Sequence, residues 1–143
     1  MNRAELLAFI RPIQHVVLAT VTPDEKPEAA VVGIVVTDAL ELFFDTSNLS
    51  RKCQNLRVNP NVAFVIGWDD SQTLQYEGVA DEPTGEELRK LKQLYFARFE
   101  QGPARESWPD ITYFRVKPRW ARYSDFRGAE AKIVEVPVTA PPT

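Results

Sequence analysis

The sequence predicts a mainly β protein: an antiparallel barrel of six strands with a few α-helices packed outside it. Three observations carry that prediction. Six apolar or alternating segments of strand length recur along the chain, at 15–21, 28–36, 40–44, 61–68, 73–80 and 111–123. Most are joined by short polar turns, which favours an antiparallel sheet over βαβ units. No internal repeat or interdomain linker interrupts the 143 residues, so a single domain spanning 1–143 is expected. A chain of that length buries about 70% of its unfolded surface around one core.

Each element has its own local warrant. RAELLAFI (3–10) reads as a short helix stopped by Pro12, because proline disfavours the helical state in the residue before it. HVVLATV (15–21) is rich in β-branched residues, and TPDEKP (22–27) supplies a turn. EAAVVGIVV (28–36) is nearly continuous apolar, and TDA turns it into LELFF (40–44), a hairpin signal. The connection that follows, DTSNLSRKCQNLRVNP, contains a short helix in which Leu49, Cys53 and Leu56 form an apolar face and Ser50 is the N-cap. NVAFVIGW (61–68) and TLQYEGVA (73–80) flank the turn DDSQ. In the second of these, Leu74, Tyr76 and Ala80 share one face, with Thr73, Gln75 and Glu77 on the other. EPTGEELRKLKQLYFARFEQGP (82–103) is the clearest helix, with Thr84 and Glu87 as a capping box and Gly102-Pro103 as its end. Its apolar face is Leu88, Leu91, Leu94, Tyr95 and Phe99. ITYFRVKPRWARY (111–123) is a long last strand with Phe114, Val116 and Trp120 on one side. Residues 132–143, ending VPVTAPPT, read as a loose tail.

Composition excludes several function classes. A net charge of −3 argues against a nucleic-acid binder, whose surface is strongly basic. The sign reverses locally, at Arg51, Lys52 and Arg57 and again between Arg115 and Arg127, a pattern that suits a small anion better than a polyanion. No apolar run approaches the roughly 20 residues of a membrane span, and the N-terminus lacks a signal-peptide core. Cys53 is the only cysteine, so no internal disulfide forms and no cysteine-based metal site closes. A cytoplasmic protein with no membrane partner is expected.

Side-chain catalysis is poorly represented. His15 is the only histidine and reads as a partly buried or surface residue rather than a metal ligand or base. No Ser-His-Asp set and no glycine-rich phosphate loop occur. Asp69-Asp70 reads as a solvated turn, and Trp68, Trp108 and Trp120 as packing residues. No catalytic residue and no metal site are therefore assigned, and redox chemistry would require a borrowed cofactor.

The segment 45–60 has the strongest chemical signal. Arg51 and Lys52 fall in the first turn of the predicted helix, where unpaired N–H groups and the dipole are already positive. Cations there cost up to ~1 kcal/mol each unless an anion sits among them. With the Thr46, Ser47 and Ser50 hydroxyls nearby, the group resembles a phosphate cradle. The other reading is that Arg51 and Lys52 simply snorkel from a solvated helix face. The residues alone leave both open.

LELFFDTSNLSRKCQNLRVNPNVAFVIGW, followed by TLQYEGVA and later FRVKP, resembles the pyridoxamine 5′-phosphate oxidase-like proteins, the FMN-binding split barrels. The similarity spans about residues 10–125 and is most specific at SRK and the NP that opens the next strand. It implies a split barrel of FMN-binding type, with FMN at a homodimer interface. Arg51 and Lys52 would bind the phosphate, assisted by Thr46, Ser47 and Ser50. Val31, Val32, Gly33 and Ile34 would run beside the isoalloxazine ring, and Thr73 or Gln75 would approach it. Trp120, Arg122 and Ser124 would complete the site, often across the dimer.

Two departures bear on activity. The oxidase proper carries an arginine and a lysine on the strand matched here by Ala30 to Val35. It also has a C-terminal arginine-leucine-histidine motif, where this chain reads YSDFRGAE. The resemblance therefore implies a flavin-dependent oxidoreductase of unassigned small-molecule substrate rather than a pyridoxine phosphate oxidase. A deazaflavin-binding reductase and a non-enzymatic flavin-binding or dimerisation module remain as alternatives; haem is disfavoured because His15 is the only imidazole.

Overall fold

The computed structural model describes residues 1–139. Helix α1 (Arg3–Ile10) opens the chain, followed by strands β1 (His15–Val21), β2 (Pro27–Gly33), β3 (Val35–Val36) and β4 (Leu42–Ser47). Then come α2 (Arg51–Val58), β5 (Asn61–Ile66), β6 (Gln72–Asp81), α3 (Gly85–Arg98) and α4 (Gly102–Arg105), and finally β7 (Ile111–Asp125) and β8 (Lys132–Glu135). All six expected strands are present. The second is divided at Ile34, and β8 is added from the segment expected to be loose.

The strands form one antiparallel sheet in the order β2-β1-β5-β6-β7-β4-β3, with β8 alongside β7. The two ends of that order, β2 and β3, are consecutive in sequence. The sheet therefore curls until its edges meet at Ile34, whose N–H donates to the Gln14 carbonyl at 2.8 Å. Inside the curl lies the main core of Val16, Leu18, Leu42, Phe44, Phe64, Ile66, Leu74, Tyr76 and Val116, capped by Leu6 and Ile10 of α1 and Cys53 and Leu56 of α2. A second cluster lies on the outer face, where Leu91 and Tyr95 of α3 cover Val35, Phe43 and Tyr113.

Several sequence expectations change. Leu49 is 75% exposed and leaves the α2 face, which buries Asn55 along with Cys53 and Leu56. Thr84 is the N-cap of α3 but its hydroxyl makes no capping bond. Gly85 follows with a left-handed φ of 61°, and the chain enters the helix without the geometry a capping box needs. Leu94 is exposed, while Leu91 and Tyr95 carry the buried face. The helix stops at Arg98, and Gly102-Pro103 begins α4 instead of ending α3; proline suits a first turn, where its missing N–H costs nothing. The C-terminal stretch from 132 is not loose through 139. Lys132–Glu135 pairs with β7, and Val136 and Val138 are buried; residues 140–143 lie outside the described residues.

Trp120 also changes sides. The β6–β7 register pairs Glu77 with Trp120 and Gly78 with Pro118, so Arg119 is an extra residue in a β-bulge. Before it, Phe114 and Val116 face the core; after it, Ala121 and Tyr123 do. Trp120 is turned to the outer face. Gly78 is required at this point, because a Cβ there would sit 2.4 Å from the Lys117 carbonyl oxygen and 2.7 Å from Val116 Cγ1. Among the described residues no helix is long and apolar enough to cross a membrane.

Two stability measurements follow from this packing. Gly78→Ala forces the bulge apart and is expected to lower unfolding stability by about 2 kcal/mol in urea titration. Tyr76→Phe is expected to cost about 1 kcal/mol by the same titration. It removes the hydroxyl that donates, inside the core, to the carbonyl of Leu40 at 2.9 Å, a residue itself held at φ 63°.

Candidate functional site

The connection between β4 and β5 builds its cap as the sequence requires. Ser50 is extended, its Oγ accepts from the Cys53 N–H at 3.2 Å, and Thr46 Oγ1 lies 3.2 Å from the same oxygen. Arg51 and Lys52 open α2, which has no acid in its first turn. Across from them stands Glu28 of β2. Arg51 forms an ion pair with Glu28, and Glu28 Oε1 accepts from Asn55 Nδ2 at 2.5 Å. Asn55 also donates to Thr20 Oγ1 at 3.1 Å. Between these groups is a cavity of about 210 Å³, lined by Leu18, Thr20, Glu28, Ala29, Ala30, Arg51 and Lys52.

This cavity has the chemistry of a small-anion site, with two cations, small alanine walls and a helix start. It fits a phosphate with one reservation in its charge: Glu28 sets a carboxylate against the two cations. Cys53, beside it in sequence, is a core thiol whose burial pushes its pKa up, so it stays protonated and inert. Ser47 faces elsewhere. Its Oγ donates to Asp110 Oδ2 at 2.6 Å and accepts from the Leu49 N–H at 3.1 Å, tying the loop down rather than lining the cavity.

Asp45, immediately before Thr46, anchors the end of β4. Tyr95 Oη donates to Asp45 Oδ1 at 3.0 Å and Arg105 Nε donates to Asp45 Oδ2 at 2.8 Å. Burial, and then the Asp45 charge, raise the Tyr95 phenol well above its ordinary range, so it remains a donor. The strand end that carries Thr46 is thus fixed from α3 and α4.

The residues expected along the ring occupy three environments. Val31 is 64% exposed on the outer face of β2, whereas the side chains of Val32 and Ile34 are buried in the core. Only the backbone of those two can face a ligand, and the Ile34 N–H is already used. Gly33 is explained by packing, since a Cβ there would lie 2.9 Å from the Phe99 ring. Gln75, Trp120 and Arg122 gather on the outer face in a depression of about 360 Å³ with Val17, Ala19, Ala63 and Val65. The Arg122 guanidinium lies 5.2 Å from the Trp120 ring centre and pairs with Glu135 at 3.3 Å. Thr73 and Ser124 are register partners at one end of the same strands, with Ser124 buried.

Within one chain the two groups remain apart. Arg51 and Lys52 flank the inner side of the β2 edge, and Trp120 and Arg122 lie on the outer face with β1, β5 and β6 intervening. Sequence reasoning missed Glu28, Thr20 and Asn55. Their only signal is that Glu28 is a lone acid at the head of an apolar run. His15 lines a third cavity, of about 650 Å³, with Phe9, Ile13, Trp68, Asp69 and Asp70, and its ring meets Phe99 edge-on at 6.1 Å. Among the described residues no cluster of three metal-ligating side chains occurs.

Comparison with known proteins identifies the lineage. A family model described as pyridoxamine 5′-phosphate oxidase matches residues 3–125. A pyridoxine/pyridoxamine 5′-phosphate oxidase from Rubrobacter xylanophilus is 32% identical over 93 residues, 64% of this chain and 41% of the relative. The chain thus spans about two fifths of that relative's length. Solved structures share the fold. A haem-binding protein from Mycobacterium smegmatis superposes with a TM-score of 0.78 at 19% identity, covering 92% of this chain and 57% of that one. The haem storage protein HutZ from Vibrio cholerae gives 0.73 at 22% identity, covering 83% and 92% respectively. The strand order, the SRK helix start and the match across 3–125 together establish that this chain belongs to the pyridoxamine 5′-phosphate oxidase family.

Proposed function

We propose that the protein binds FMN between two copies of the chain and acts as a flavin-dependent oxidoreductase on a small substrate other than pyridoxine phosphate. The observation that carries this reading is the convergence of Arg51 and Lys52 on a small alanine-walled cavity at a capped helix start. FMN, when bound, supplies the electron transfer for which this chain has no catalytic side chain of its own. The protein's part is binding and orientation. Arg51 and Lys52 hold the phosphate oxygens, and the Thr46–Ser50 hydroxyl pair fixes the loop that presents them. Val31 offers an apolar surface to the ring. Trp120 and Arg122 serve the site of a second copy, because their own chain keeps them on the far face.

The dimer is supported by the surface. Helix α3 covers the outer face of β3, β4 and the first half of β7, and Phe99 at its end reaches Gly33 of β2 and His15 of β1, but the outer face around Val31, Val65 and Val79 stays exposed. Val31, Val65 and Val79 are exposed there, and β2 is an edge strand. Exposed apolar side chains beside an edge are normally covered by a partner.

Haem is a less suitable occupant. The sole imidazole, on His15, lies on the cavity with Asp69 and Asp70, whose carboxylates oppose acidic side groups on a ligand. A haemin titration giving a Soret band that His15→Ala abolishes would favour haem over FMN. A deazaflavin shares the tricycle and phosphate of FMN, and competitive titration separates the two.

Arg51→Ala combined with Lys52→Ala is expected to weaken FMN binding at least tenfold, about 1.4 kcal/mol, with unchanged circular dichroism. An unaltered affinity by fluorescence quenching rejects the phosphate role. Light scattering is expected to give a dimer, and Val31→Asp with Val65→Asp to shift it to monomer with loss of FMN affinity. A wild-type monomer at high concentration rules out the shared site.

A further inference from the structure

We propose that the groove between the end of α1 and the β5–β6 turn is a second binding site, and that it takes a small organic cation with an apolar body, an alkyl or aryl ammonium. The groove encloses about 650 Å³, the size of a small-molecule pocket. It lies at the His15 end of β1, whereas the cavity beside Arg51 and Lys52 lies at the Thr20 end. Its walls are closely fitted. Gly67 has a left-handed φ of 76°, and a Cβ on it would stand 3.0 Å from both Ile13 Cδ1 and Phe9 Cζ. The turn therefore packs against α1 as tightly as glycine allows, and Tyr123 holds Phe9 edge-on at 5.4 Å. The Gln72 N–H closes the turn by donating to the Asp69 carbonyl at 3.2 Å. Trp68, next to this fixed point, lines the groove and yet is 53% exposed. Phe9 and Ile13 on one side and the indole on the other give an apolar body two surfaces to lie between.

The charge of the groove selects the ligand's sign. Asp69 and Asp70 line it, and no lysine or arginine does. Among the described residues the Asp69 carboxylate makes no hydrogen bond or ion pair. Asp70 accepts from Gln72 Nε2 at 3.3 Å and meets Arg127 at 3.5 Å, but Arg127 is held by Asp125 through Nε and Nη2. Helix α1 ends at the same groove with no basic residue in its last turn, so the negative pole of its dipole adds to the two carboxylates. Pro12 has no N–H to offer the Ala8 carbonyl, and Arg11, the C-cap residue, pairs with Asp38 instead. His15 is the one remaining ionisable side chain on the groove. A metal ion is poorly served, since among the described residues no third ligand joins the two carboxylates. An ammonium is well served: Asp69 meets its charge, and the exposed face of Trp68 attracts a cation in addition to giving apolar contact.

The test titrates the ¹⁵N-labelled full chain with benzyltrimethylammonium, benzyl alcohol and phenylacetate, and follows the three tryptophan indole N–H signals by NMR. The Trp68 signal is the one lost in Trp68→Phe. The cation is expected to move it along a saturable curve with a Kd below about 10 mM. Benzyl alcohol is expected to bind at least about fivefold more weakly, and phenylacetate to give no saturation. Asp69→Asn, a surface change, is expected to weaken the cation at least about threefold and to leave benzyl alcohol unchanged. Arg51→Ala with Lys52→Ala is expected to leave all three titrations as they are, so the outcome is independent of flavin binding. Equal affinity for the cation and the alcohol, a saturable shift confined to Trp108 or Trp120, no saturable shift at all, or an Asp69→Asn variant that binds the cation like wild type overturns the proposal.

Discussion

The architecture depends on one extended segment, Pro27–Val36, belonging to both ends of the sheet. Its first part pairs with β1 from His15–Gly33 to Val21–Pro27, and its last two residues pair with β4. A sheet whose two edges are the same stretch of chain cannot lie flat; it curls round its own core. Ile34 is the pivot, buried and out of both ladders, with its N–H satisfied by Gln14. Both the inner cavity beside Ala30 and the outer patch around Val31 are consequences, because one face of β2 looks into the curl and the other away from it.

The bulge at Gly78 divides the sheet a second time. With Arg119 inserted, β7 presents Phe114 and Val116 inward along its first half and Ala121 and Tyr123 inward along its second. Tyr113, on the outer side before the bulge, joins Phe43 under α3, their rings stacked at 5.7 Å. Trp120 and Arg122, on the outer side after it, meet no helix. One inserted residue thus decides which part of the outer face is packed under α3 and which stays open.

Much of this was legible in sequence, and the exceptions share a cause. Strands 15–21, 61–68 and 73–80 alternate or run apolar strongly enough to mark themselves, and Ser50 announces a helix start by its side chain. The split at Ile34 was not legible, since EAAVVGIVV is uniformly apolar and nothing local says that its two halves pair with different partners. Trp120 was placed on the wrong side because strict alternation has no means of counting a bulge. Leu49 fits the helical spacing but precedes the N-cap, so its side chain points out of the loop. Lys132–Glu135 carries charges at both ends and all four of its side chains are exposed, so no apolar face marks it; it is ordered by backbone pairing with β7. In the site, Arg51 and Lys52 were visible because they break a local rule, whereas Glu28 breaks none.

That last contrast alters the argument for a ligand. Two cations in the first turn of a helix require a negative partner, and the sequence alone points to a bound anion. The structure supplies a partner from within the chain: Glu28 answers Arg51, so the helix dipole by itself no longer demands a ligand. What continues to ask for one is narrower. Among the described residues Lys52 has no ion pair, and it borders a cavity whose opposite wall is the edge strand at Glu28, Ala29 and Ala30, with Ala30 the small side chain turned inward. Space, one residual positive charge and small side chains are more than a solvated helix face needs. The case for an anion in this chain thus moves from the helix terminus to the wall facing it, where Lys52 and Arg51 stand against Glu28.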